Sequence, residues 1–214
     1  MLRLEVNRDL PPDREILERV SHAMQRGVIV AFPTEAVYGL SVDPRNSGAL
    51  GRLFEIKRRP RSRRVPFVAA NLDQVQHLAR IEGSLARRLA DRFWPGPLTL
   101  VLPLRSPNPL AAWDWGSTLG IRVPGSALIR GLAQHLGIPI PATSANLYGE
   151  SVESDPSRFP EELLKSIDLL LDSGRLPVSP PSTVLSLVQE QPEILRPGAV
   201  SEAELAPFLS LPGA

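Results

Sequence analysis

Apolar and polar positions along the chain follow two rhythms. Between Asp13 and Arg26, Ile16, Leu17, Val20 and Met24 share one helical face, with Pro11-Pro12 ahead and Gly27 behind as a stop. The short apolar run Val28 to Phe32 predicts a buried strand that ends at Pro33-Thr34-Glu35. Asn46 can cap a helix running to about Lys57, with Leu50, Leu53 and Phe54 inward. A strand is expected around Val65 to Ala70. Asn71 can cap a short helix ending near Ala79, and Ser84 to Phe93 reads as another helix. Leu98 to Leu102 predicts a strand after Trp94-Pro95-Gly96-Pro97, and residues 105 to 117 read as a loop with two exposed tryptophans. Leu119 to Val123 predicts a strand stopped by Pro124, and Ser126 to Leu136 a helix stopped by Gly137. Ile138 to Thr143 reads as one strand running into Ser144-Ala145-Asn146.

The last third continues the mixture. Pro160 to Ser166 predicts a helix; Asp168 to Leu171, Thr183 to Val188 and Ile194-Leu195 predict strands. Ser201 and Glu204 form a capping box for a short C-terminal helix over 201–209. Helices and strands alternate irregularly. That favours a single α/β domain over 1–214 with a mixed, twisted open sheet, its motif-bearing core lying at about 13–198. No internal repeat or convincing linker divides the chain.

Composition narrows the function. There are no cysteines, so disulfide scaffolds, thiolate zinc sites and cysteine nucleophiles are excluded. The 23 prolines are about one residue in nine, roughly twice ordinary usage. At 43% hydrophobic residues they punctuate a folded chain rather than a disordered one. No apolar run is long enough for a membrane span, and the first residues lack the form of a secretory signal. A soluble cytoplasmic protein is the expectation. The net charge of +1 conceals an asymmetry: Lys57 to Arg64 holds six basic residues, and the rest of the chain has 18 basic against 23 acidic. Such a cluster attracts phosphates of a nucleotide or RNA, or is simply a solvated loop.

Several segments can carry chemistry. The turn from Pro33 to Leu40 can present backbone N–H groups to an anion, or be only a turn. Lys57 and Arg59 can clamp a triphosphate, or merely complement a helix C-terminus. Arg122, inside an apolar strand, requires a partner, either a bound carboxylate or phosphate or a structural ion pair. Ala142 to Asn146, Ser182-Thr183 and Arg196-Pro197-Gly198 place small polar or basic residues at strand ends, where α/β sheets bind ligands. His22, His77 and His135 show no metal spacing, and nucleophile-elbow and Gly-rich phosphate-loop motifs are absent. A site of Lys, Arg, Ser, Thr and amides suits reactions driven by positioning and charge stabilisation.

Taken together, Pro33–Leu40, Lys57–Pro60, Trp94–Thr99, Gly120–Pro124, Thr143–Asn146, Ser182–Val184 and Ile194–Gly198 resemble the YrdC-like family of threonylcarbamoyl-AMP synthases. The chain is similar to its short, single-domain form. The resemblance implies a mixed sheet flanked by helices around a positively charged cavity. It implies formation of threonylcarbamoyl-AMP and pyrophosphate from L-threonine, bicarbonate or CO2, and ATP with Mg2+. The product would serve tRNA N6-threonylcarbamoyladenosine formation through separate transfer proteins, with tRNA itself a further candidate ligand. By the same resemblance Lys57, Arg59, Arg63, Thr118, Ser144, Asn146 and Arg196 hold ATP, with Lys57 and Arg59 as the catalytic cations. Thr34, Ala36, Arg122, Ala142 and Ser182 surround threonine. Two positions depart from the family pattern: Ala36 stands where many relatives have threonine, and Val68 where many have histidine. The competing readings are an RNA-binding module without catalysis and a related carbamoyl-adenylate-forming enzyme.

Overall fold

The computed structural model describes residues 1–8, 10–58, 64–105, 110, 115–147 and 149–210. Helix boundaries follow the capping residues. Helix α1 (Arg14–Gln25) starts where Asp13 accepts the Glu15 N–H, at 2.7 Å. Asn46 and Asn71 cap α2 (Ser47–Ile56) and α3 (Leu72–Leu78), accepting from Ala49 N at 2.9 Å and Gln74 N at 3.0 Å. After α4 (Ser84–Phe93), α5 (Ala127–Leu136) stops at Gly137, whose φ of 71° is the left-handed value a glycine adopts without a Cβ clash. The short α6 (Glu161–Ser166) precedes α7 (Glu202–Leu209), where the Ser201–Glu204 capping box is formed in both directions.

The mixed α/β class is as expected, but the strands divide between two sheets. In the first, the order is β1 (Leu2–Glu5), β9 (Leu169–Asp172), β2 (Val30–Pro33), β3 (Tyr38–Ser41), β8 (Thr143–Ser144). The second runs β11 (Glu193–Arg196), β10 (Thr183–Ser186), β5 (Leu98–Pro103), β6 (Thr118–Arg122), β4 (Phe67–Val68), β7 (Ile140–Pro141). Parallel and antiparallel pairs occur in both. Strands β2 and β9 of the first sheet are buried on both faces. Val30 and Phe32 of β2, with Leu169 and Leu171 of β9, pack with Leu17, Val20 and Met24 of α1 and Leu132 of α5. Ala31 and Leu170 point to the opposite face and join the larger core. Each fully buried Leu or Val there stabilises the fold by roughly 1.5–3 kcal/mol.

Three sequence expectations change. Residues 138 to 143 are not one strand: Ile140-Pro141 pairs with β4 and Thr143-Ser144 with β3. Ala142 is the crossing point, its N–H donating to Pro66 O at 2.8 Å. Trp115, read as exposed, is buried edge-on against Phe67, with ring centroids 4.8 Å apart; Trp113 lies outside the described residues. Strands β1 and β3 were not expected. Among the described residues, no helix is long and apolar enough to cross a membrane.

Candidate functional site

A cavity of ≈ 480 Å³ draws its lining from both sheets. That size falls within the ~300–1,000 Å³ of small-molecule sites. Thr34, Ala36, Arg122, Ala142, Ser144, Ser182 and Arg196, all singled out in the sequence, line it together. A larger, more open groove of ≈ 980 Å³ runs along Glu5–Arg8 and Ser173–Val178 and contains none of them. The chemistry therefore belongs to the smaller cavity.

Arg122 finds the structural ion pair that its place in a strand demanded. Its Nη2 lies 3.2 Å from Glu35 Oε2, and its Nη1 lies 3.4 Å from both Glu35 Oε1 and Gly96 O. Glu35 Oε1 also accepts from Gly125 N at 2.5 Å and Ser126 N at 3.3 Å, at the start of α5. Glu35 thus takes the end-on fork of the guanidinium and fixes its plane. The Nε–H and the remaining Nη2–H have no protein acceptor among the described residues, and this side fork can grip a second carboxylate bidentately.

Burial pushes the Glu35 carboxyl up, but Arg122 and the backbone donors outweigh it and hold it below its ordinary value of 4.5. Its contribution to stability is therefore present above that value and lost as pH falls through the lower folded one. Thermal unfolding of the wild type against Glu35→Gln should show a wild-type advantage at pH 6 that shrinks below about pH 4.5. An advantage unchanged down to pH 3 would contradict this pairing.

Arg196 is held differently. Its Nη2 donates to Ser182 O at 2.6 Å and Ser182 Oγ at 3.0 Å, and its Nε donates to Ser182 O at 3.2 Å. No carboxylate pairs with it among the described residues, so both Nη1 hydrogens remain for a ligand. Burial, and then the like charge of Arg122, push its pKa down. Two guanidinium groups thus face one cavity, an arrangement that an anion would relieve. Gly198 makes the approach to Ser182 feasible: a Cβ there would lie 2.6 Å from Thr183 N and 2.7 Å from Ser182 C.

The wall from Ser173 to Ser182 is tied down by residues without a sequence-assigned role. Tyr38 Oη donates to Gly174 O at 2.7 Å and accepts from Ser173 N at 3.0 Å; burial is the main reason its pKa rises to about 12, so it stays a neutral phenol. Ser179 Oγ donates to Glu35 O at 3.3 Å. Thr99 Oγ1 lies 3.0 Å from Ser182 Oγ. Glu35, Tyr38 and Thr99 belonged to motifs quoted from the sequence, but their roles depend on partners far along the chain.

Other expectations are redistributed. Thr34 Oγ1 accepts from Ala36 N and Val37 N, both at 3.3 Å, and donates to Val37 O at 2.6 Å. The N–H groups expected to cradle an anion are thus engaged within the turn. Lys57 is no exposed clamp: it is buried, and its Nζ donates to Ser144 O at 2.7 Å and to Asn146 O and Oδ1, each at 2.5 Å. Asn146 Oδ1 also accepts from Ser144 Oγ at 2.5 Å, and its Nδ2 donates to Glu150 O at 2.7 Å. Lys57 and Asn146 therefore shape the loop that brings Ser144 to the cavity, where the Ser144 lone pairs remain for a ligand's donor.

Thr118 is set apart from the cavity lining, accepting from Arg64 Nη1 through its hydroxyl at 2.6 Å and its carbonyl at 3.0 Å. Arg58 pairs with Glu162 at 2.6 Å. The basic run is thus partly consumed by internal contacts; Arg59 and Arg63 lie outside the described residues. Ala36 and Val68, the two departures from the family pattern, both lie on the lining.

Comparison with known proteins fits this geometry. A family model described as telomere recombination, Sua5_yciO_yrdC, matches residues 22–198. The chain belongs to the Sua5/YciO/YrdC family. Among curated members, the Pyrococcus abyssi threonylcarbamoyl-AMP synthase is 35% identical over 182 residues, covering 85% of this chain and 54% of that protein. The Bacillus subtilis threonylcarbamoyl-AMP synthase is 32% identical over 206 residues, covering 94% of this chain and 59% of that one. The crystal structure of P. abyssi Sua5 complexed with L-threonine superposes with a TM-score of 0.88 at 30% identity, over 98% of this chain and 61% of that one. This family member therefore spans between half and two thirds of the length of these relatives.

Proposed function

We propose that this chain forms L-threonylcarbamoyl-AMP from L-threonine, bicarbonate or CO2, and ATP. The observation that carries the reading is the convergence of Arg122, Ser144, Ser182 and Arg196 on one cavity in a member of this family. The names of the P. abyssi and B. subtilis relatives, and L-threonine in the P. abyssi complex, support it.

The roles follow from the donors left unused. The open side fork of Arg122 takes the threonine carboxylate, with Thr34, Ala36, Ala142 and Ser182 around it. The threonine amine combines with CO2, losing a proton, to give a carbamate. A carbamate oxygen attacks the α-phosphorus, a P–O bond forms, and the bond to the β-phosphate oxygen breaks as pyrophosphate leaves. Arg196, through its free Nη1, and Arg59 and Arg63 stabilise the phosphate charge; Ser144 accepts from the nucleotide. Such fixed cations act by preorganisation, since they need no rearrangement as charge develops. Thr118 would serve the nucleotide through the Arg64 that it anchors. Magnesium is proposed to enter as the counter-ion of the triphosphate; Glu35, the carboxylate in the lining, is already engaged by Arg122 and two N–H groups. The adenylate would pass to proteins that transfer its threonylcarbamoyl group to tRNA, releasing AMP.

Pyrophosphate release tests this reading. Release is expected with ATP, magnesium, bicarbonate and L-threonine together, and should fall to background when threonine is omitted. Release at the same rate without threonine would contradict it.

A further inference from the structure

The Ser182 hydroxyl sits between two side chains. Arg196 Nη2 is 3.0 Å from Ser182 Oγ and can only donate, so it takes one lone pair. Thr99 Oγ1 is also 3.0 Å away, and either oxygen could supply that proton. Thr99 is buried at 3% exposure in the interior of β5, and its hydroxyl meets no other protein acceptor among the described residues. If Ser182 donated to Thr99, the Thr99 proton, at the edge of the cavity lining, would have no protein acceptor among the described residues. If Thr99 donates, its proton is satisfied, and Ser182 has both lone pairs filled and its own proton free. A buried donor without an acceptor is rarer and costlier than a hydroxyl oxygen with a spare lone pair.

We infer that Thr99 is a positioning residue that, with Arg196, makes Ser182 a donor-only group facing the cavity. A donor-only hydroxyl accepts no hydrogen bond from a ligand's N–H or O–H; it selects an oxygen with lone pairs. On the proposed function, on which this inference rests, that oxygen belongs to the threonine carboxylate or to the carbamate formed from its amine. The device costs no net charge. It adds to the two guanidinium groups a third, directional test for an anionic oxygen. Backbone supports the arrangement: Thr183 N donates to Pro97 O at 3.0 Å, and Thr183 and Leu98 pair in register where β10 meets β5.

Steady-state kinetics of Thr99→Val, Thr99→Ser, Ser182→Ala and the Thr99→Val/Ser182→Ala double variant test this, with thermal unfolding in parallel. Valine keeps the shape and suits a strand; serine keeps the hydroxyl. Thr99→Val should raise KM for threonine about tenfold, roughly the effect of one hydrogen bond to a charged group, while KM for ATP changes less than about twofold. Thr99→Ser should restore KM to within about threefold of wild type, and the double variant should be no worse than Ser182→Ala alone. Were the valine variant unfolded, Thr99→Ala against Thr99→Ser supplies the same contrast. An unchanged KM in Thr99→Val, or a full tenfold loss added on top of Ser182→Ala, would overturn the inference while leaving the functional reading intact. A wild type that makes no threonine-dependent product would overturn both, and is distinguished by that control.

Discussion

Replacing Arg196 by glutamine is expected to lower kcat/KM for threonine-dependent turnover by ~10²–10³-fold, with almost no loss of thermal stability. The two halves of this result have one cause. Arg196 is exposed and, among the described residues, is held by Ser182 without a carboxylate partner. It faces a cavity that Arg122 also lines; partial desolvation, and then the like charge of Arg122, lower its pKa. Removing it relieves that repulsion, so the free protein loses only three bonds to one serine. On the proposed function the triphosphate loses the cation that Nη1 presents to it. Arg196→Lys keeps the charge without the fork and should recover only part of the rate. Activity within threefold of wild type in Arg196→Gln would remove Arg196 from the site.

Lys57→Ala should behave in the opposite way, losing stability and activity together. The family resemblance makes Lys57 a catalytic cation on the ATP phosphates. The structure instead buries Lys57 at 3% exposure, with three oxygens of Ser144 and Asn146 around its ammonium. Deleting it strands Asn146 O, at about 1–3 kcal/mol for a buried acceptor left unmatched and partly offset by regained solvation, and takes one bond each from Ser144 O and Asn146 Oδ1, which keep donors in Asn146 N and Ser144 Oγ. A net loss on the order of 3 kcal/mol is expected, a large part of the ~5–15 kcal/mol that holds a domain folded. Denaturant unfolding should show a lower midpoint with an unchanged slope. Lys57→Met, which fills the space without donating, should be destabilised too. Lost turnover at wild-type stability would instead assign Lys57 a direct contact with substrate.

What was legible in the sequence was what neighbours along the chain decide. Ser84–Phe93 appears with the boundaries its periodicity gives, and Asn46, Asn71 and Ser201 cap the helices they were expected to cap. Long-range pairing was not legible. β1 is an exposed edge of four residues, defined by its parallel partner β9 more than 160 positions away. β3 contains Gly39 and reads as a turn until β2 and β8 flank it. Residues 138 to 143 look like one apolar strand, yet tertiary pairing sends their two halves to different sheets. The site follows the same division. Seven of the residues that the motifs singled out line one cavity. They could not show that Lys57 is spent on Ser144 and Asn146, or that Glu35 already occupies one fork of Arg122. A charged residue type says what it can bind; only its neighbours in space say what it has bound already.

The most direct test of the central claim is the identity of the product. The purified chain is incubated with ATP, magnesium, unlabelled L-threonine and 13C-bicarbonate, and the nucleotides are analysed by mass spectrometry. The expected product is an adenylate carrying one threonine and one 13C atom, absent when either threonine or bicarbonate is left out. An adenylate of threonine lacking the labelled carbon, or AMP formation indifferent to threonine, would contradict it.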